Sequence, residues 1–95
     1  MTGTTRSSAD LDPRRRKALF RSWHRGMREM DLVLGSFAEE HIGELTEAEM
    51  ETYEALLDEA DPDLFKWVTG EKPTPALHDT HLFRRILDHR RHRQF

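Results

Sequence analysis

The residues most able to do chemistry fall into three groups. Arg25-Gly26-Met27-Arg28-Glu29-Met30-Asp31 gathers two guanidinium and two carboxylate groups around a glycine. Such a set could exchange protons, with Glu29 as general base beside Arg25, or present paired charges to another protein. Asp61-Pro62-Asp63-Leu64-Phe65-Lys66-Trp67 sets two aromatic side chains among carboxylates. Both can belong to the core; the alternative puts one of them, Phe65 or Trp67, at the surface, as an anchor of the kind that dominates interfaces. The third group is the histidines. His78 and His81 are three apart, as are His89 and His92, so each pair shares a helix face. Zinc would need a third ligand and a supporting shell, and the arginines around the second pair repel a cation. We expect solvated histidines and no metal site.

These groups need rigid elements behind them, and the sequence reads as an all-α, single-domain bundle of five helices. Asp12-Pro13 opens the first, an acidic cap followed by proline where the missing N–H costs nothing. Leu19, Phe20, Trp23 and Met27 follow at helical spacing. Gly26, with no Cβ to clash, can take the left-handed conformation that ends it. Arg25 then stands in the last turn, and Glu29 and Asp31 in the first turn of a second helix running from about Met27 to His41. Both placements suit the helix dipole. An Arg25–Glu29 surface pair would add roughly 0.2–1 kcal/mol. Gly35, costly inside a helix by about 1 kcal/mol, points to close approach of a neighbouring helix.

Thr46-Glu47-Ala48-Glu49 is a capping box and starts a third helix, expected to reach Ala60. Asp61-Pro62 repeats the cap-and-proline device for a short fourth helix that stops at Gly70. Thr74-Pro75 is expected to begin the fifth, with Leu82, Phe83, Ile86 and Leu87 buried. From about residue 89 the sequence is polar all round and is expected to fray as a basic end.

The chain has 95 residues, 36% hydrophobic and 35% charged, enough for one modest core. Its expected members are Leu19, Phe20, Trp23, Leu32, Val33, Phe37, Leu45, Met50, Tyr53, Leu57, Leu64, Phe65, Trp67, Leu82, Phe83 and Ile86. Residues 1–11 are Ser, Thr and Gly-rich and read as a flexible tail; residues 12–95 form the domain. With no cysteine, neither disulfide nor thiolate metal site is available. No apolar run approaches the ~20 residues that span a bilayer. The expected location is the cytoplasm, without membrane insertion.

The net charge of −3 hides strong segregation: residues 39–63 hold eleven Asp and Glu and no Lys or Arg, whereas residues 14–28 and 84–93 are basic. The basic ends allow a second reading, a small helical nucleic-acid-binding protein. Overall charge and the acidic middle argue against it, and no nucleic-acid partner is expected. Catalysis is not expected either: no nucleophile turn, phosphate loop or dinucleotide fingerprint occurs, and no catalytic residue is assigned.

The corner sequence Arg-Gly-Met-Arg-Glu-Met-Asp resembles the RGxxE signature of the SdhE family, the FAD assembly factors of succinate dehydrogenase. The second block resembles that family's DPDLFxW segment, at about the family's separation, and the resemblance covers roughly Arg16 to Leu87. Met30 stands where leucine is frequent. The resemblance implies a small helical bundle that binds the flavoprotein subunit of succinate dehydrogenase, and often of fumarate reductase, and promotes covalent attachment of FAD to a histidine of that subunit. The bond is formed by flavoprotein and flavin themselves, so the factor is not an enzyme. It holds no cofactor tightly, FAD being attached to the partner. Carried over by position, Arg25, Gly26 and Glu29 match the signature, Arg28 and Asp31 its neighbours, and Asp61, Pro62, Phe65 and Trp67 the second block. These nine are the expected flavoprotein-binding residues.

Overall fold

Helix α1, Pro13–Trp23, starts where the cap chemistry puts it. The Asp12 carboxylate accepts the Arg15 backbone N–H at 2.8 Å, with Pro13 in the first turn. In the computed structural model, which describes residues 10–93, five α-helices follow one another and no strand occurs among the described residues. α2 is Arg28–His41, α3 Glu47–Leu57, α4 Asp61–Thr69 and α5 His81–Arg91. The chain is all-α, as expected.

α2 is the central element, packed against α1, α4 and α5. Met30, Val33, Leu34, Phe37 and Ala38 are all buried, a face wide enough for three neighbours. Gly35 is what lets α1 approach. A Cβ built there would lie 2.3 Å from the Trp23 ring, so the indole occupies the space a side chain would need. α3 starts at the expected capping box, with both reciprocal bonds present at 2.9 and 3.1 Å. α4 ends at Gly70, whose φ of +80° is the left-handed cap.

Several expectations need correction. Phe20 is 63% exposed. The inner face of α1 is Ala18, Leu19 and Ser22 instead, because small side chains let α1 sit close and Ser22 reaches the Tyr53 hydroxyl at 2.6 Å. Leu32, Trp23, Phe65 and Trp67 are only half-buried, while Leu11 and Ile42 join the core. Burial thus begins at Leu11, inside the expected tail; residues 1–9 lie outside the described residues. α3 stops at Leu57, short of Ala60.

Thr74-Pro75 does not open the last helix. A single 3-10 turn, Ala76–His78, follows it, and α5 starts at His81 with the Thr80 hydroxyl accepting the Phe83 N–H at 3.1 Å. Nor does the chain fray at residue 89. α5 continues to Arg91 because His89 extends the Leu82–Ile86 stripe by another turn and is buried. Gln94 and Phe95 lie outside the described residues.

Candidate functional site

The charged corner is built around two backbone features. α1 ends at Trp23, three residues before Gly26, and Gly26 adopts φ +104°. The glycine therefore makes the turn, as its type implies, but Arg25 stands beyond the helix end and not in its last turn. From there its backbone N–H donates to Asp31 Oδ1 at 2.6 Å. Its side chain runs back under the connection between α3 and α4. Nε donates to Asp61 Oδ1 at 2.8 Å, Nη1 to the Leu57 carbonyl at 2.5 Å and Nη2 to the Glu59 carbonyl at 2.6 Å. The Arg25 and Asp61 side chains are only 9% and 11% exposed. This pair replaces the expected Arg25–Glu29 surface pair.

The same clasp explains a second difference. Asp61 does not cap α4. Ala60 holds the cap position, Asp61 and Pro62 lie within the first turn, and the Asp61 carboxylate is turned to Arg25. Two sequence blocks 30 residues apart are thus tied by one nearly buried ion pair. Arg25, Asp31 and Asp61 form its interior; Gly26, Arg28, Glu29 and Pro62 are exposed, and Phe65 and Trp67 half-buried.

Glu29 and Phe65 meet in one groove, floored by Val33 and walled by Arg90, Arg91 and Arg93. Trp67 lines an adjoining hollow with Leu87 and the same Arg90 and Arg91. Its ring lies 5.4 Å from that of buried His78, whose Nε2 is 2.7 Å from a Glu59 carboxylate oxygen. In a separate hollow that Arg25 and Asp61 themselves line, exposed Phe20 stacks on His24 with ring centroids 4.0 Å apart, beside Arg21 and Ala60.

The basic N-terminal block is largely used inside the fold. Arg14 binds Glu54 through two bonds of 2.9 and 2.7 Å and reaches Glu47. This pairing holds the Glu54 carboxyl below, and the Arg14 guanidinium above, their ordinary pKa values. Arg15 holds Asp12 and the Leu45 carbonyl, and Arg21 holds Asp58. Charge consumed in this way is removed from the phosphate-binding reading.

The histidines do not pair as the spacing implies. His78 is buried while His81 is exposed. His89 turns inward, its Nε2 2.8 Å from the Ser36 hydroxyl, and its Nδ1 lies 3.9 Å from Glu40. Possible ligand atoms of Glu40, His41 and His89 lie within 4.8 Å of one another. The Arg93 guanidinium already contacts Glu40, and Arg85 lines the same hollow, so two fixed cations compete with any metal there. Burial, and then His41, push the His89 pKa down.

Sequence reasoning missed Arg90 and Arg91 as site residues, having set the C-terminal end aside as frayed. The signal was available: Leu82, Ile86 and His89 recur at helical spacing, which carries α5 one turn further and brings the arginines beside Phe65.

Comparison with known proteins adds a family. Residues 16–90 match the family model described as the flavinator of succinate dehydrogenase. The chain is 37% identical over 81 residues to succinate dehydrogenase assembly factor 2, mitochondrial, of Dictyostelium discoideum, covering 85% of this chain and 57% of that protein. It is 35% identical over 86 residues to assembly factor 2-B, mitochondrial, of Drosophila persimilis, covering 88% and 55%. It is 35% identical over 85 residues to the FAD assembly factor SdhE of Acetobacter pasteurianus, covering 90% and 78%. The chain therefore spans little more than half the length of the first two.

Proposed function

Because the chain belongs to the family of succinate dehydrogenase flavinators, we propose that it binds the flavoprotein subunit of succinate dehydrogenase and promotes covalent attachment of FAD to it. The observation that carries this reading is the Arg25–Asp61 clasp. It ties the two motif blocks into one rigid corner, and beside that corner Glu29 and Phe65 share a groove. Gly26, Arg28, Glu29 and Pro62 offer exposed contacts, Phe65 and Trp67 the aromatic anchors, and Arg25, Asp31 and Asp61 hold the shape from behind. All nine serve flavoprotein binding, in these two ways.

The chain acts by orientation and not by catalysis of its own. Holding a flavoprotein histidine and the flavin in register is a use of binding energy that can lower a barrier greatly. It needs no tightly held cofactor on this chain, and the purified chain should carry no flavin absorbance. A fumarate reductase flavoprotein is a further partner by resemblance alone. Cytoplasmic action is supported by the bacterial relative, of which the chain covers the larger share. No helix among the described residues is long and apolar enough to cross a membrane.

The test uses the purified apo-flavoprotein subunit of the host, FAD, and this chain or its Gly26→Arg variant. In-gel flavin fluorescence after denaturation should rise with the wild-type chain and stay at background with the variant. Equal fluorescence with and without the chain would sink the proposal. Glu29→Ala should weaken the complex, if Glu29 meets a donor on the flavoprotein.

A further inference from the structure

We propose that Arg90 and Arg91, at the end of α5, make the groove beside Glu29 and Phe65 a seat for an acidic segment of the flavoprotein that also inserts an apolar side chain. The inference rests on the flavoprotein-binding reading above and assigns the partner's chemistry. The groove encloses about 330 Å³. Val33 and Phe65 give it an apolar floor, and three guanidinium groups face a single carboxylate, Glu29.

One observation selects an acidic occupant, and a second sets the range over which it is recognised. The first is the state of the arginines. Arg14, Arg15 and Arg21 of α1 hold carboxylates or carbonyls within the fold, Arg16 is exposed on α1 away from this groove, and Arg93 contacts Glu40. Among the described residues Arg90 has no ion-pair partner, and Arg91 has only Asp88 one turn back at 3.6 Å, both side chains well exposed. Such an exposed pair is worth little, so these two guanidinium forks are available for carboxylates, which they fit in a bidentate manner. The second is that the chain as a whole is acidic, with net charge −3. Long-range steering therefore disfavours an acidic partner, and a positive groove acts only at contact.

Continuity with the site supports the same occupant. Arg90 and Arg91 also line the hollow that holds Trp67 and Leu87, so one extended segment could cross from Phe65 to Trp67 past both arginines. Glu29 is the acceptor in the groove, suited to a backbone N–H of that segment.

The experiment measures affinity for the purified flavoprotein subunit by calorimetry at low and high salt. Arg90→Glu/Arg91→Glu should bind roughly tenfold or more weakly, as loss of close charge pairs does, with a flatter salt dependence and unchanged helical circular dichroism. Arg90→Gln/Arg91→Gln should show the same direction and covers the case in which the reversed charges disturb folding. Arg16→Glu/Lys17→Glu makes the same change in net charge on exposed α1 positions that do not line this groove, and should bind within about threefold of wild type. If both charge-reversed pairs lose affinity equally, or if the α5 pair loses none, the groove assignment is overturned. It is also overturned if the α5 pair keeps flavoprotein binding but loses binding to a labelled single-stranded oligonucleotide. No binding by the wild-type chain would instead overturn the flavoprotein reading itself.

Discussion

Arg25 and Gly26 are neighbours with opposite jobs, and substitution should separate them. Truncating Arg25 strands Asp61 and the Leu57 and Glu59 carbonyls in a nearly closed space. Arg25→Ala should cost about 3 kcal/mol in urea unfolding, in the range for breaking a buried pair. Arg25→Lys should recover little of it, since a single ammonium cannot reproduce the fork. Gly26 presents the reverse case. Nothing lies within 4 Å of a Cβ built there, but its φ of +104° strains any other residue. Gly26→Ala and Gly26→Arg should therefore lose similar stability, about 1–2 kcal/mol, while only arginine's bulk abolishes flavinylation. Equal flavinylation defects would mean that the corner acts through its backbone shape alone. Glycine's role was legible in the sequence because residue type and turn chemistry coincide. The inward course of Arg25 was not, because its acceptors lie more than 30 positions away and no local rule points to them.

At the scale of elements, the starts of α1 and α3 and the end of α4 were readable, while the start of α5 and the helix contacts were not. The Asp12, Thr46 and Gly70 caps sit where local chemistry puts them, whereas Phe20 faces solvent because the close approach of α1 depends on Gly35, a residue of another helix. Gly35→Ala adds roughly 1 kcal/mol of helix propensity but drives a methyl into the Trp23 ring, which Glu39 holds at 3.2 Å. Overpacking of this kind costs about 1–3 kcal/mol, so a net loss of stability is expected. In a double-mutant cycle, Trp23→Ala should remove that loss.

The docking of α5 on α2 should depend on pH. Ser36 donates to the Leu32 carbonyl at 2.5 Å, so it accepts from His89 Nε2–H, and the neutral imidazole fits. Glu40 faces Nδ1 and favours a proton, but Arg93 sits on that carboxylate, and His41 and Arg85 add no attraction for one. With its folded pKa depressed below the ordinary 6.5, His89 contributes fully above that pH. Stability should fall as pH drops from 6.5 toward the depressed value, because the unfolded chain takes the proton first. His89→Gln should flatten this segment of a melting-temperature profile. The decline below about pH 4.5, where Arg14 loses its charged partner as Glu54 protonates, should remain.

For the whole molecule, the sequence displays charge in three blocks, and the fold decides which of them meet. The acidic middle takes up Arg14, Arg15 and Arg21 of α1, which is why most of the basic N-terminal stretch does not stand out as a surface. The end of α5 keeps Arg90 available, at the place where α2 and α4 bring Glu29 and Phe65 together. That convergence makes a prediction neither block could make alone. If the two contribute to separate contacts, Glu29→Ala and Phe65→Ala should weaken flavoprotein binding additively. If they hold one segment in one groove, the second substitution acts on a contact the first has already loosened. The double variant should then lose less than the sum, with a coupling of about 0.5–3 kcal/mol. Phe20→Ala, beside the Arg25–Asp61 clasp, is the control. It should combine additively with Glu29→Ala, because the hollow that Phe20 lines with the clasp residues Arg25 and Asp61 shares no residue with the groove of Glu29. Coupling between Glu29 and Phe20 as large as that between Glu29 and Phe65 would mean that the partner embraces the whole corner, and that the clasp is itself part of the contact.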